Sequence, residues 1–265
     1  MMEITSSKNP KIKQIKSLYR RKNRWNMELF IIEGVKILEE CIDNNYPLEN
    51  IIYSDELFNT NGGVEIYERI KSYENLIYVP NSLFKEISDT ENPQGIMALA
   101  KITERQIEEL YKLDNPFILF LEEIQDPGNM GTIIRTADAF NLDGIIVSEG
   151  SVDIYNPKVI RSTMGSIFRT PVYYIKDNME TIKKFESMGF KIFATSLEGE
   201  NYTYNIDFKN SSLILIGNES KGLSDELHSL AHQWIKIPIL GGAESLNVAI
   251  ATSIIMYEGI KQRMG

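Results

Sequence analysis

The stretch FILFLEEIQDPGNMGTIIRTADAF, residues 117–140, opens the second half of the chain with a strand pattern followed by a helix pattern. It begins with an apolar run of strand length, turns at Pro127 and Gly128, and continues with apolar residues at helical spacing. Five more strand candidates follow: GIIVSE, PVYYI, KIFATS, LILIG and WIKIP. Because helical patterns fill most gaps between them, we expect a parallel sheet covered on both faces, with ligands beyond the carboxyl ends of its strands.

The first half of the chain shows a similar alternation. The runs LFIIEG, NIIYS, LIYVP and GIMALAKI are strand candidates, with amphipathic segments between them. The charged segment 103–116 has no strand pattern and ends at a proline. The sequence therefore predicts an α/β fold with a smaller N-terminal domain (residues 1–102), a linker (103–116) and a larger C-terminal domain (117–265).

The composition restricts the class of protein. Of the 265 residues, 43% are hydrophobic, which is enough for a packed core. The single cysteine, Cys41, excludes an internal disulfide and is typical of a reducing compartment. The sequence has neither the apolar stretch of a signal peptide nor a run long enough to cross a membrane, so we expect a cytoplasmic protein.

The charge is unevenly distributed. The net charge is −9, but in the first 25 residues Glu3 is the only acidic residue among eight basic ones. Phosphate contacts are local, so an acidic protein can bind RNA through a basic arm, although a solvated helix would show the same pattern. The residues predicted to contact RNA are Lys8, Lys11, Lys13, Arg20, Arg21, Lys22 and Arg24.

The turn after the first strand of the second half carries the first group of candidate residues. We expect a helix to begin near Gly131, with Asn129 in the turn before it and Arg135 about one turn inside it. A helix N-terminus and the planar guanidinium of an arginine both suit an RNA phosphate. Taken alone, the pattern favours a simpler interpretation, in which Asn129 caps the helix and Arg135 is a surface cation.

A second loop follows a buried strand in LILIGNESKGLSDEL, residues 213–227. Gly217 has no side chain, so this loop can approach a flat ligand closely. Gly217 and Gly222 have the spacing of a phosphate-binding P-loop, but Leu223 stands where that motif requires lysine, so the P-loop interpretation fails. No G-x-G-x-x-G follows a candidate strand, which disfavours a nicotinamide-dependent dehydrogenase.

The third stretch is WIKIPILGGAESLNVAIATSIIMYEGI, residues 234–260. A strand is expected to end at Pro238, and a helix to begin near Ser245. This helix is apolar on almost every side, so we expect it to be buried against the sheet or a second subunit. Ser245 and Asn247 are the polar exceptions at its start, and a capping role is the simplest one for Ser245.

Together the three stretches resemble the three sequence motifs of the SpoU (TrmH) family of RNA ribose 2′-O-methyltransferases, in the SPOUT superfamily. Order and spacing agree over residues 117–262, and FIIEGVKILEE, residues 30–40, resembles the substrate-binding domain that often precedes the catalytic one. The matching positions are Asn129, Gly131 and Arg135 in the first motif, Gly217, Glu219 and Gly222 in the second, and Pro238, Ser245, Leu246 and Asn247 in the third.

The resemblance implies a fold, an assembly and a methyl donor. Family catalytic domains have a parallel sheet whose C-terminal segment forms a trefoil knot, a feature too rare to propose from sequence patterns. Family members are homodimers with the knot at the interface. They bind S-adenosylmethionine through backbone groups of the second and third motifs, which match Gly217, Ile237 and Leu246 here, with Thr195 and Leu240 as neighbours.

The implied reaction moves a methyl group from a sulfonium to a hydroxyl in line and needs no metal. His228 and His232 are four residues apart, but they lie outside the motifs and no third metal ligand is evident. Arg135 matches the residue assigned as the family's base. Because a guanidinium stays protonated, we expect it instead to hold a phosphate and stabilise the developing alkoxide. We expect Glu219 to orient its neighbours, and the ribose or the donor to be positioned by Asn129, Ser245 and Asn247.

The predicted function is therefore S-adenosylmethionine-dependent methylation of a ribose 2′-hydroxyl in RNA. The N-terminal domain favours 23S ribosomal RNA by analogy, and transfer RNA is the alternative. A non-catalytic RNA-binding protein on the same scaffold is a further alternative, which the intact motif residues disfavour.

Overall fold

The computed structural model describes residues 2–265, and Met1, the first residue of the predicted N-terminal domain, lies outside the described residues. In chain order the strands are β1 (Met2–Glu3), β2 (Leu29–Glu33), β3 (Leu48–Tyr53), β4 (Leu76–Tyr78), β5 (Ile96–Lys101), β6 (Phe117–Leu121), β7 (Gly144–Ser148), β8 (Val172–Ile175), β9 (Lys191–Thr195), β10 (Asn201–Tyr202), β11 (Ser212–Ile216) and β12 (Gln233–Lys236). All ten apolar runs that the sequence analysis predicts as strands are confirmed. The two strands it missed, β1 and β10, are only two residues long.

The α-helices are α1 (Pro10–Ser17), α2 (Arg21–Met27), α3 (Val35–Asp43), α4 (Gly63–Ile70), α5 (Asn81–Ile87), α6 (Pro127–Ala139), α7 (Pro157–Thr163), α8 (Asn178–Ser187), α9 (Asp225–His228) and α10 (Val248–Met264). Short 3₁₀ helices lie at Asp55–Asn59, Ile107–Lys112, Ser166–Phe168 and Thr203–Asn205. None of the helices in residues 2–265 combines the length and the apolar character that a membrane crossing requires.

The chain forms two compact units. The first has a five-stranded mixed sheet in the order β1-β4-β3-β5-β2, in which β5 runs antiparallel to both of its neighbours. The second has a seven-stranded parallel sheet in the order β10-β12-β9-β11-β6-β7-β8. The fully buried strands β6 and β11 pair at its centre, so the loops that follow them open at the same edge.

The structure places two segments in units to which the predicted domain boundaries did not assign them. Residues Asp153–Arg169, expected in the C-terminal domain, join the first unit, where α7 lies against β2. Within the predicted linker, Leu110 is fully buried among Ile118, Phe120 and Tyr173 in the core of the second unit. Apolar side chains in these segments are buried by tertiary packing, which local sequence patterns do not report.

Arg24 on α2 is buried in the first unit and is only 2% exposed. Its Nε and Nη2 atoms donate to the Asp153 Oδ2 atom at 2.8 and 2.5 Å, and its Nη1 atom donates to the Leu18 carbonyl at 2.8 Å. Asp153 is 3% exposed. The prediction that Arg24 contacts RNA is wrong, because its guanidinium is enclosed and already paired within the protein.

Candidate active site

Helix α6 begins at Pro127, four residues earlier than the sequence analysis expected. Asp126 caps it, because the Asn129 backbone N–H donates to the Asp126 carboxylate at 2.8 Å. Proline suits the first helical position, where its missing N–H costs no hydrogen bond. Asn129 therefore lies in the first turn of the helix rather than before it, and Arg135 lies two turns inside.

Glu219, in the loop after β11, is the acceptor at the centre of the site. Its carboxylate accepts hydrogen bonds from the Asn129 side-chain amide at 3.1 Å and from the backbone N–H groups of Gln125 and Asp126 at 3.1–3.2 Å. Burial alone would raise the pKa of Glu219, but these hydrogen bonds favour the anion and hold that pKa below its ordinary value. Glu219 is therefore a fixed anion that orients Asn129.

Asn247 extends this chain of hydrogen bonds to α10. Its side-chain amide donates to the Asn129 Oδ1 atom at 2.9 Å. Its own Oδ1 atom accepts from the backbone N–H groups of Ala249 and Ile250 at 2.9 and 3.2 Å, which makes Asn247 the cap of α10. The predicted cap at Ser245 is therefore wrong, since the helix begins three residues later.

The direction of each hydrogen bond in this series follows from the groups at its two ends, the Glu219 carboxylate and the N–H groups at the start of α10. Glu219 is an anion and can only accept, so Asn129 must present its NH₂ group to it. The Asn129 oxygen then accepts from Asn247, whose own oxygen faces the helix N–H groups. The three motifs are thus joined by one polarised chain, which we call the Asn–Asn–Glu relay (Asn247, Asn129 and Glu219).

The glycines of the second motif let the loop close on itself. A Cβ atom at Gly217 would lie 2.2 Å from backbone atoms of both Gly222 and Leu223. Asn218 and Gly222 exchange two backbone hydrogen bonds of 2.9 Å, and Gly222 has a φ of +72° that favours glycine. Because Gly217 has no side chain, the backbone of Gly222 and Leu223 can pack against it. The sequence analysis expected this space to serve only the approach of a ligand.

A cavity of about 480 Å³ opens beside this loop, between the carboxyl ends of β9, β11 and β12 and the start of α10. Leu240, predicted as a neighbour of the donor, does not line it and is 97% exposed. Six of the predicted site residues do line the cavity: Thr195, Gly217, Glu219, Ile237, Ser245 and Leu246.

Arg135 stands apart from this arrangement. It is exposed on α6, it does not line the cavity, and within residues 2–265 it makes neither a hydrogen bond nor an ion pair. The structure therefore brings the second and third motifs together at the cavity and attaches Asn129 to them, but it leaves Arg135 unengaged on the same helix as Asn129.

Sequence reasoning missed polar residues that support the cavity loop. Glu122, at the end of β6, is 8% exposed and accepts from the Ser224 backbone N–H and hydroxyl, both at 2.8 Å. The Asn218 side chain donates to the Glu123 carbonyl at 2.8 Å and accepts from two N–H groups of its own turn. No local sequence pattern marks these residues, whereas the Asp126–Pro127 pair at the start of α6 carried a usable signal, as a cap followed by proline.

The two histidines have different surroundings. The His232 Nδ1 atom accepts from the Ile192 backbone N–H at 3.0 Å, whereas His228 lines the cavity and contacts the Trp234 ring edge-on. Across the part of the chain that the structure describes, no three potential metal ligands converge.

The basic arm divides into exposed and paired residues. The Lys11 ammonium lies 3.0 Å from the Asn50 side-chain oxygen and 3.5 Å from the Glu49 carboxylate. Arg24 is buried, as described above. The arm residues that remain exposed are Lys8, Lys13, Arg20, Arg21 and Lys22.

Two family models match the chain. The SpoU rRNA Methylase family matches residues 116–257, and the MRM3-like substrate binding domain matches residues 9–98. Among curated proteins, the chain is 32% identical to the 23S rRNA (guanosine(2553)-2′-O)-methyltransferase RlmP of Bacillus subtilis, over 97% of this chain and 98% of that one. It is 27% identical to the 23S rRNA (uridine(2479)-2′-O)-methyltransferase of Streptomyces viridochromogenes, over 98% and 92% of the two chains.

Solved structures extend the similarity to the fold. The AdoMet-bound rRNA methyltransferase from Sinorhizobium meliloti superposes with a TM-score of 0.86 at 30% identity, covering 98% of this chain and 97% of that one. The SpoU methyltransferase AviRb from Streptomyces viridochromogenes, in complex with the cofactor AdoMet, has a TM-score of 0.86 at 26% identity, covering 97% and 99%. The likeness therefore includes both units of the chain.

Proposed function

Because the chain belongs to the SpoU rRNA methylase family, we propose that it transfers a methyl group from S-adenosylmethionine to a ribose 2′-hydroxyl of 23S ribosomal RNA. The observation that carries the proposal is the Asn–Asn–Glu relay, which joins all three motifs at the edge of the cavity. Both relatives described above are named as 23S rRNA 2′-O-methyltransferases, and both units of the chain take part in those matches. The predicted cytoplasmic location fits this substrate.

The cavity suits the methyl donor in size and lining. Its volume of about 480 Å³ falls within the range of small-molecule sites, roughly 300–1,000 Å³. Backbone groups at Gly217, Ile237 and Leu246 would hold the donor, with Thr195 beside them. When bound, the donor supplies an activated methyl group on a sulfonium, so the protein needs to provide alignment rather than a nucleophile of its own.

The protein's contribution to the reaction is positioning and charge stabilisation. The anionic Glu219 fixes the orientation of Asn129, and Asn247 fixes both Asn129 and the start of α10. Ser245, on the cavity wall, positions the ribose or the donor. Arg135 is an exposed cation without a partner among residues 2–265, suited to hold an RNA phosphate and to stabilise the alkoxide that develops at the 2′-oxygen.

We propose further that the protein is a homodimer that uses α10. Ile250, Ile254 and Tyr257 are 51, 37 and 57% exposed on this helix, and an exposed apolar face of this kind is typical of subunit interfaces. The Ser253 hydroxyl donates to the Thr136 hydroxyl at 3.2 Å, so this part of α10 lies against α6 next to Arg135. Ile254→Asp should split the dimer in sedimentation, whereas a wild-type protein that is monomeric at micromolar concentration would contradict it.

The same proposal includes the trefoil knot in the second unit and RNA binding by the first unit. The knot is supported by membership of the family and by the parallel sheet in which β11, followed by the cavity loop, lies at the centre. The first unit would bind RNA through its exposed arm residues, in agreement with the substrate binding domain that matches there.

The proposed function is tested by methyl transfer from labelled S-adenosylmethionine to unmodified 23S rRNA and to transfer RNA, both transcribed in vitro. We expect labelling of the 23S transcript and little labelling of transfer RNA. Calorimetry should show binding of S-adenosylhomocysteine and no binding of NADH. Labelling of transfer RNA alone would select the alternative substrate, and donor binding without labelling of either RNA would contradict the proposal.

A further inference from the structure

The edge of the parallel sheet carries two exposed tyrosines that the proposed reaction does not use. Tyr202 ends β10 and Tyr204 lies in the 3₁₀ turn that follows; they are 36 and 56% exposed. Their rings are stacked, with centroids 5.3 Å apart and planes inclined by 11°. Neither hydroxyl is hydrogen-bonded to any residue that the structure describes. Two large stacked rings that remain exposed contribute little to the core, which suggests a binding role.

The backbone under this pair is firmly anchored. Thr203, between the two tyrosines, is 4% exposed, and Ile206 just after them is 5% exposed. Gln262 on α10 holds the turn with two bonds: its Nε2 atom donates to the Ile206 carbonyl at 2.9 Å, and its Oε1 atom accepts from the Phe208 N–H at 3.0 Å. Rings on such a support lose little conformational freedom when a ligand binds.

The tyrosine pair also lies close to the cavity. Tyr202 is paired in register with Lys236 on β12, and the Lys236 ammonium lies 5.1 Å from the centre of the Tyr202 ring. Lys236 itself lines the cavity. Trp234, two residues before it on the same face of β12, is 40% exposed. A largely aromatic surface therefore extends outward from the rim of the cavity.

The chemistry of this surface fits an unpaired nucleotide. Single-stranded RNA is commonly bound by stacking its bases on aromatic side chains, with cations nearby for phosphates. The cavity has mixed charge, with Lys221 and Lys236 opposed by Glu198 and Glu219, so charge alone would not hold RNA there. Stacking on an aromatic ring does not depend on that balance of charge.

We propose, on the basis of the function proposed above, that Tyr202 and Tyr204 form a platform on which an unpaired base of the RNA stacks next to the methylated nucleotide. Lys236 then contacts the phosphate of that neighbouring nucleotide. Because the platform lies outside the donor cavity, it contributes to RNA affinity and not to donor affinity.

The test compares the wild type with Tyr202→Ala/Tyr204→Ala, the matching double Phe variant and Tyr73→Ala. Tyr73 is a matched control, since it is 40% exposed and lies in the other unit. Binding of a short fluorescent single-stranded RNA of mixed sequence is measured by anisotropy, and donor binding by calorimetry with S-adenosylhomocysteine. We expect the double Ala variant to bind RNA roughly 5- to 100-fold more weakly, because stacking of one base contributes about that factor. The Phe variant and Tyr73→Ala should stay within about twofold of the wild type, since Phe retains the stacking face.

Several outcomes would overturn the platform. One is unchanged RNA binding in the double Ala variant, and another is an equal loss in the Phe variant, which would assign the effect to the hydroxyls. If the double Ala variant also loses donor binding, Tyr204→Ala alone replaces it, because this more exposed ring can be removed with less disturbance; wild-type RNA binding there would overturn the platform too. A wild type that binds the short RNA through the tyrosines but methylates no RNA contradicts the proposed function and leaves the platform standing.

Discussion

Two arginines that the sequence analysis assigned to RNA occupy opposite environments. Arg24 in the first unit is 2% exposed and gives three hydrogen bonds to Asp153 and Leu18. Arg135 in the second unit is exposed and has no partner within residues 2–265. A buried, paired guanidinium is enclosed by the fold and cannot reach a ligand, whereas an exposed one without a partner is available to it. The number of cations therefore identifies a basic segment but not the residues in it that can bind RNA.

The largest expected effect is on stability, from Arg24→Ala. The substitution leaves the Asp153 carboxylate buried without its cation, which should destabilise the protein by about 3–5 kcal/mol in urea denaturation. Arg20→Ala, at an exposed site in the same arm, is the matched control and should change stability by less than about 0.5 kcal/mol. Arg24→Met/Asp153→Leu, which removes both charges, should recover most of the loss. Equal stabilities for Arg24→Ala and Arg20→Ala would break the comparison.

Arg135→Ala should act on turnover instead of stability. Loss of one preorganised charge-stabilising group should slow single-turnover methylation by about 10²–10³-fold, while the donor dissociation constant stays near the wild-type value. Arg135→Lys should rescue little, because an ammonium lacks the planar fork that binds phosphate through two bonds. Wild-type turnover in Arg135→Ala would show that this is the wrong residue. Loss of donor binding in Arg135→Ala would show that the first motif binds the methyl donor rather than the RNA.

Asn247 differs from both arginines, because it contributes to the fold and to the site together. Asn247→Ala removes the cap of α10 and the bond to Asn129, so it should cost about 0.5–2 kcal/mol and weaken donor binding. Asn247→Asp keeps a capping oxygen but cannot donate to Asn129, so only donor binding should suffer. Ser245→Ala should leave stability unchanged. A stable Asn247→Asp with normal donor affinity would show that the relay has no role in the site.

The exposed part of the basic arm predicts a smaller effect that depends on salt. Replacing Arg20, Arg21 and Lys22 by Gln should weaken RNA binding. The slope of log affinity against log salt should become shallower by about 0.7 for each phosphate of single-stranded RNA that is no longer neutralised. Donor affinity should not change, because none of the three side chains lines the cavity. An unchanged slope would mean that these residues form only a solvated helix surface.

The smallest expected effect is the pH dependence that Glu219 adds. Its pKa is lowered in the folded protein, so its hydrogen bonds stabilise the fold above the unfolded value of 4.5. That stability is lost as the pH falls through the lowered folded pKa. The urea midpoint of the wild type should therefore drop more steeply than that of Glu219→Gln between about pH 5 and pH 3. Parallel curves would show that Glu219 is not held as an anion by the relay.

Most of the fold follows from the sequence because its strands are apolar runs bounded by turns. The same patterns do not fix the residue at which a helix begins. The helix after β6 starts at Pro127 because Asp126 caps it, and α10 starts at Val248 because Asn247 does. Both starts were misplaced, one late and one early, since several nearby polar residues and glycines offered equally good local signals.

The site was predictable only through resemblance to a family. Asn129 and Asn247 are 118 positions apart, and nothing in their spacing shows that they share a hydrogen bond. The burial of Arg24 depends on Asp153, 129 positions away, which joins the first unit only after the chain has passed through the second. Side-chain chemistry can be read from the sequence, but partners at that separation are determined by the folded topology.

Methylation by this protein can be located by mass mapping of an unmodified 23S rRNA transcript after incubation with the protein and S-adenosylmethionine. We expect one added methyl group at a single nucleotide, on the ribose 2′-oxygen, and almost none with Arg135→Ala. A methyl group on a base, or an unmodified transcript with a protein that binds the donor, would contradict this expectation.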